Sequence, residues 1–444
     1  MGIRKDSFTG FIIDGKQKYP FYAAKQIFHF IPEGFGIFAN AIKREIHCED
    51  QFMYGYTTDG FQIALYAGTD KKEITANYSL QPGIFFLSRA NCHHYDMTTF
   101  EAVEFRGGTL NNLYENKVES TSFDEKRSVF IREYKQFIQN HHLELGDNKC
   151  NLNVFSIPSK SNPQIMDLCL RFEFDNELPL IYVKRIFHDI SELCRLLTNR
   201  ENVGFDSIEL YKIDDKTQKW LGFAEGIAYY PYDLFTQKAF QKNVLLEHIE
   251  KQLPNIIGLI DEDKVRKPKY NFDFMPESDE DAYVISNDKI KNVCSSLECE
   301  MSFIKDWNSE KDSSLRVLLE DVKKVINNHR KSEIRLDDKT YENIFSSMSH
   351  WDMPSAVKMG ILYEKHRTFM EYYEKKWHMQ CGAEHINALV KYRNDVTHGR
   401  YRNLDSDIVG TAFILMALSY CCFWERMGLD SNIITELVKQ GRIL

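Results

Sequence analysis

The chain has 444 residues, 43% hydrophobic and 27% charged, a balance that excludes a disordered or low-complexity protein and fits two or three globular domains. Its formal charge of −9 argues against a general nucleic-acid coat, yet the acid excess is uneven: residues 281–444 hold 24 Asp+Glu against 23 Lys+Arg, so the first 280 carry nearly all of it. Ten scattered cysteines form no zinc-ligand spacing and no apolar run marks a secretion signal, which gives a reduced, cytoplasmic chain as the expectation.

Residues 1–120 read as a β-rich N-terminal domain. Short apolar runs, Phe11–Ile13, Phe61–Tyr66 and Ile84–Leu87, are separated by the turn signals Asp59–Gly60, Pro82–Gly83 and Gly107–Gly108. Residues 121–260 read as a mixed α/β segment that continues this region. Within it, Val183, Ile186, Phe187, Ile190, Leu193, Cys194 and Leu197 recur at helical spacing until Asn199–Gly204 breaks the pattern. Ile208–Ile213 and Trp220–Phe223 read as a hairpin, and residues 234–260 as a helical stretch interrupted at Pro254. Residues 261–287, dense in charge and carrying Pro268 and Pro276, read as a linker.

From Asn287 onward Pro354 is the only proline, and the pattern is helical. The spacing predicts helices over 288–306, 313–331, 338–349, 354–376, 382–398, 406–427 and 431–440. The expected fold class is therefore α+β and multidomain, with a β-rich N-terminal region followed by an all-α C-terminal domain over 288–444. Ile408–Trp424 holds seventeen residues without a charge. That reaches only the lower edge of the ~17–25 residues a membrane span needs, with no Lys/Arg bias beside it. A helix covered by its own bundle and by a second subunit is the expectation, and no membrane partner.

The informative segment is Lys391–Tyr392–Arg393–Asn394–Asp395–Val396–Thr397–His398–Gly399–Arg400–Tyr401–Arg402. An Arg and a His five positions apart are a weak signal alone, and Arg89 with His94 repeats the spacing in a β-rich context. Arg393 and His398 differ because they close a helix with the apolar stripe Ala388, Leu389, Tyr392 and Val396, and Gly399 is placed to end it. Asn394 lies one turn before His398, in reach to orient it. Imidazole changes protonation near neutrality and suits proton transfer, while a guanidinium stays charged and forks onto phosphate oxygens. Together they can move a proton and steady an oxyanion with no metal or other cofactor.

Arg-Asn-x-x-x-His at a helix end, followed by a long apolar helix, resembles the motif of HEPN ribonucleases. A β-rich front, a mixed segment, a linker and a terminal helical domain is similar in organisation to the ApeA type of anti-phage abortive-infection protein. The resemblance implies that residues 288–444 are a HEPN bundle and that two chains pair through it, bringing two Arg and two His to one cleft. It implies an endoribonuclease acting on cellular RNA, with Arg393, Asn394 and His398 catalytic. Lys391, Arg400 and Arg402 would form an RNA-phosphate rim, and tRNA loops are a reasonable substrate because their unstacked bases expose the 2′-hydroxyl. It leaves the N-terminal region to sense a phage-encoded trigger.

Blander readings stand beside these. His398 can be a capping histidine, Arg393 can pair with Asp395, Glu384 or a partner's carboxylate, Asn394 can be a structural hydrogen-bonder, and the basic rim can be solvated charge. Cys92–His93–His94 lacks further ligands for a metal, and Cys421–Cys422 read as packing residues. Two other functions compete: a catalytically silent HEPN domain that binds RNA or a partner, and a carbohydrate-active enzyme on the front β region, for which paired carboxylates in a cleft would be needed.

Overall fold

A computed structural model describes residues 7–31, 51–66, 79–89, 92, 95–115, 118–124, 129–134, 136–159, 165–235, 242–263, 268–304, 307, 313–348, 354–400 and 403–443. The protein is α+β, with a β-rich N-terminal part and a helical C-terminal part. It divides into two compact units: residues 1–262 with 276–278, and residues 263–275 with 279–444.

The first unit contains fifteen strands and two helices among the described residues. In chain order they are β1 (Ser7–Asp14), β2 (Gln17–Ala24), β3 (Ile27–Phe30), β4 (Phe52–Thr57), β5 (Gln62–Tyr66), β6 (Ser79–Leu80), β7 (Ile84–Ser88), β8 (Thr99–Arg106), β9 (Val118–Asp124), β10 (Val129–Tyr134), β11 (Ile138–Leu145), β12 (Asn148–Pro158), β13 (Met166–Pro179), helix α1 (Tyr182–Thr198), β14 (Ser207–Ile213), β15 (Trp220–Ala228) and helix α2 (Leu253–Asp261). Thirteen strands join one antiparallel sheet in the order β11-β12-β13-β8-β14-β15-β7-β5-β4-β1-β2-β3-β6, and β9 with β10 form a separate ribbon.

Strand β12 alternates as a sheet with one covered face should: Cys150, Leu152, Val154 and Ser156 are buried and their neighbours are not. Strand β8, flanked by β13 and β14, is covered on both faces from Ala102 to Arg106. Helix α1 lays Val183, Ile186, Ile190 and Leu193 inward, and Phe187 meets Phe105 of β8 and Phe205 edge-on or tilted. A fully buried aromatic or aliphatic side chain contributes about 1.5–3 kcal/mol, so this face anchors the helix. Gly107 and Gly108 follow β8 at φ +66° and +60°, where a Cβ on either would strike Asp206 or the Gly204 carbonyl.

Two expectations need correction in this unit and the next. Among the described residues of 234–260 the α-helix begins only at Leu253, and Pro254 sits in the first turn of this short α2, where its missing N–H costs nothing. The predicted helix 354–376 is two, Ser355–Lys365 and Arg367–Trp377, parted at the buried His366. That ring lies 2.9 Å from the Leu362 carbonyl oxygen and 3.1 Å from Glu425, so a side chain helps satisfy a carbonyl at the break and ties it to another helix.

The second unit is helical: α3 (Asn287–Ser302), α4 (Ser313–Arg330), α5 (Asp338–Met348), α6 (Ser355–Lys365), α7 (Arg367–Trp377), α8 (Ala383–Thr397), α9 (Ser406–Arg426) and α10 (Ser431–Lys439). Ser286 caps α3, and Asp405 caps α9 by accepting from the Ile408 N–H at 2.8 Å. Helix α9 runs through the centre, packed by α3, α7, α8 and α10. By length and composition it could cross a membrane, but 78% of its most apolar stretch is buried inside the structure. Phe272 stacks flat on Tyr420 at 4.5 Å and meets Phe423 edge-on, closing the side that the helices leave.

Candidate active site

Helix α8 ends in a Schellman motif. Gly399 takes φ +73°, its N–H donates to the Val396 carbonyl at 3.0 Å, and the Arg400 N–H donates to the Asp395 carbonyl at 2.8 Å. His398 is the residue that closes the helix, and its side chain is exposed. A helix C-terminus carries partial negative charge and favours a nearby cation. Asn394 is also exposed. Its backbone carbonyl accepts from the His398 N–H at 3.0 Å, which links these two residues through the main chain.

Arg393 leaves α8 on another side. At 3.6 residues per turn, positions 393 and 398 lie roughly 140° apart around the axis. The Arg393 side chain is 21% exposed and turns onto α3, where Nη2 donates to Glu298 Oε1 at 2.6 Å. Its Nε is shut off from water and has no acceptor among the described residues. Cys294 lies one turn before Glu298 on α3; burial pushes its thiol up to about 12, and the neighbouring Arg393 opposes that rise. Tyr392, on the next position of α8, donates to Asn287 at 2.8 Å and fixes the same pair of helices.

The rim residues divide. Lys391 is exposed, Arg400 is 75% exposed and 3.4 Å from Asp395, and Arg402 lies outside the described residues. Of the predicted apolar stripe, Leu389 and Tyr392 are buried and Val396 is partly so. Ala388 is exposed, and Ile386 and Val390 take its place in the core. Ala388 instead lines a cleft of about 240 Å³ with Glu384, His385, Asp405 and Asp407. His385 and His398 are thirteen positions apart on α8, roughly 20 Å along the helix, and the cleft's acidic lining would repel phosphate.

Sequence reasoning missed Glu298. Nothing in the spacing of α3 marks it; its partner is 95 positions away, and only the packing of α3 on α8 brings the two together. It also misjudged helix α9. One chain covers this helix: Leu415, Ala417, Leu418 and Phe423 are fully buried, and a Cβ on Gly410 would collide with Met379. No second subunit is needed to hide its apolar surface, so Leu415→Glu would test the bundle's own core. Elsewhere, Arg89 of the repeated spacing binds Glu209 at 2.7 Å, while His93 and His94 lie outside the described residues. Cys421 and Cys422 are buried.

Compared with known protein families, curated proteins and solved structures, the chain matches none.

Proposed function

We propose that the chain is a metal-independent endoribonuclease of the HEPN kind, acting in the cytoplasm in the manner of an ApeA-like anti-phage abortive-infection protein. The observation that carries this reading is the contrast within one motif: His398 is exposed at a closed helix end, and Arg393 leaves the same helix on another side, held by Glu298 of α3. In the reaction, the 2′-hydroxyl oxygen attacks the adjacent phosphorus, the bond to the 5′-oxygen breaks, and a 2′,3′-cyclic phosphate forms. One His398 takes the 2′-hydroxyl proton and the other chain's His398 gives one to the departing 5′-oxygen. Arg393 balances the charge on the phosphorane with its fixed donors. Asn394 supports the imidazole, and Lys391, Arg400 and Arg402 hold flanking phosphates. The substrate is cellular RNA with unstacked bases, tRNA loops among them, and the β-rich unit receives a phage-encoded trigger.

The dimer follows from the chemistry: one Arg and one His per chain are too few for two proton transfers and the phosphorane charge, and the two side chains leave α8 in different directions. Cleavage per chain should therefore fall on dilution in step with dissociation of a dimer measured by sedimentation. A monomer that cleaves at full rate would contradict the shared site. A second reading, a silent domain that only binds RNA or a partner, is favoured by the ion pair that already occupies Arg393. It predicts RNA binding without cleavage at any chain concentration.

A further inference from the structure

The β-rich unit has a cavity of about 350 Å³ along one side of helix α1. That volume lies within the ~300–1,000 Å³ of small-molecule sites. Its apolar floor includes Phe187, Ile84 and Val203, and its walls carry Tyr66, Tyr229, Tyr230 and Tyr232. The tyrosine loop is pinned. The Tyr229 N–H donates to the Gly83 carbonyl at 2.9 Å, the Tyr230 hydroxyl accepts from the Phe205 N–H at 2.8 Å, and the Tyr232 hydroxyl donates to the Val203 carbonyl at 3.4 Å. Yet Tyr229 and Tyr232, both in the cavity lining, remain 36% and 44% exposed as whole residues. A fixed platform of exposed aromatic rings beside a cavity is what a planar ligand stacks on.

The polar groups narrow the chemistry. Arg195 lines the cavity between Glu192 and Glu201 and binds both, which also removes those carboxylates from acid–base use on a sugar substrate. The Arg195 Nε is buried and has no acceptor among the described residues. This end carries a guanidinium and two carboxylates, polar groups that the edge of a base can meet. Eleven positions earlier on α1, roughly 16 Å along the helix, Lys184 lines the same cavity with its ammonium 5.3 Å from the Tyr66 ring centre. An ammonium at the end of an aromatic trough suits a phosphate.

We infer that this cavity binds a single unstacked nucleotide, its base on the Tyr229–Tyr232 platform against Arg195 and its phosphate at Lys184. The inference stands apart from the ribonuclease reading, because it concerns binding by another unit. The nucleotide can come free or as part of single-stranded RNA, and the two sources are separable. The whole chain is titrated calorimetrically with AMP, with UMP, and with 2′-O-methyl hexamers of A and of U, which cannot be cut through a 2′-hydroxyl. Saturable binding of a mononucleotide assigns a free ligand; binding of a hexamer alone assigns RNA. In either case Tyr232→Ala weakens binding by roughly tenfold or more, while Tyr232→Phe, which keeps the ring, binds like wild type. Lys184→Gln weakens AMP but leaves adenosine unchanged. Both sites are partly or well exposed, so these variants keep the fold. Absence of binding by all four probes at millimolar concentration, or binding that Tyr232→Ala leaves unchanged, would overturn the inference.

Discussion

Helix α3 carries Glu298 and Glu300, and each binds an arginine from a different helix. Two positions apart, they leave the helix on nearly opposite sides, one toward α8 and the other toward α9. The deeper pair is closed. Arg426 donates to both oxygens of Glu300 at 2.8 and 2.7 Å and to the Lys269 carbonyl at 2.9 Å, and its guanidinium lies 4.1 Å from the Phe303 ring centre. Glu300 is 3% exposed; burial raises its carboxyl, and the hydrogen bonds from Arg426 work against that rise. The outer pair is open. Arg393 pairs with a carboxylate that is 34% exposed, and its guanidinium also neighbours the Cys294 thiol. The same two residue types thus serve structure in one place, where the carboxylate is sealed from water, and meet at a water-accessible edge in the other.

The comparison breaks most visibly through stability. Arg426→Ala strands a buried carboxylate and should cost the helical unit about 3–5 kcal/mol, read as a lower urea midpoint in the fluorescence of the buried Trp424. Arg393→Ala leaves a carboxylate that water can reach, and it should cost under ~1 kcal/mol while RNA cleavage collapses. Equal destabilisation by both would make Arg393 a second structural pair. A finer test is Glu298→Gln, which keeps an acceptor for Arg393 but removes the charge. It should lower kcat about tenfold with KM and the urea midpoint near wild type, because charged hydrogen bonds exceed neutral ones by roughly 1 kcal/mol or more. An unchanged kcat would mean that Glu298 does not orient Arg393 for chemistry.

The helical half was legible because its signals are local. Capping residues, a glycine after His398 and long apolar spacing place most helix ends within a few positions. The break at His366 was not, since it depends on a contact with Glu425 from another helix. In the sheet unit, Gly-turn signals mark strands but not neighbours. Strand β8 lies between β13 and β14, which come from much later in the chain, and no short-range pattern encodes that order. Site chemistry divides the same way. Arg393, Asn394 and His398 are one helical segment and can be read together. Glu298 and the tyrosine cavity are assembled by packing between distant segments and are visible only in three dimensions.

The most direct measurement is of the products that the purified chain leaves on RNA in excess EDTA. The account predicts 2′,3′-cyclic phosphate and 5′-hydroxyl ends, formed at the wild-type rate despite the chelator. His398→Ala should lower that rate by roughly 10²–10⁴ without shifting the urea midpoint. Cleavage that stops with EDTA, leaves 5′-phosphate ends, or persists undiminished in His398→Ala would contradict it.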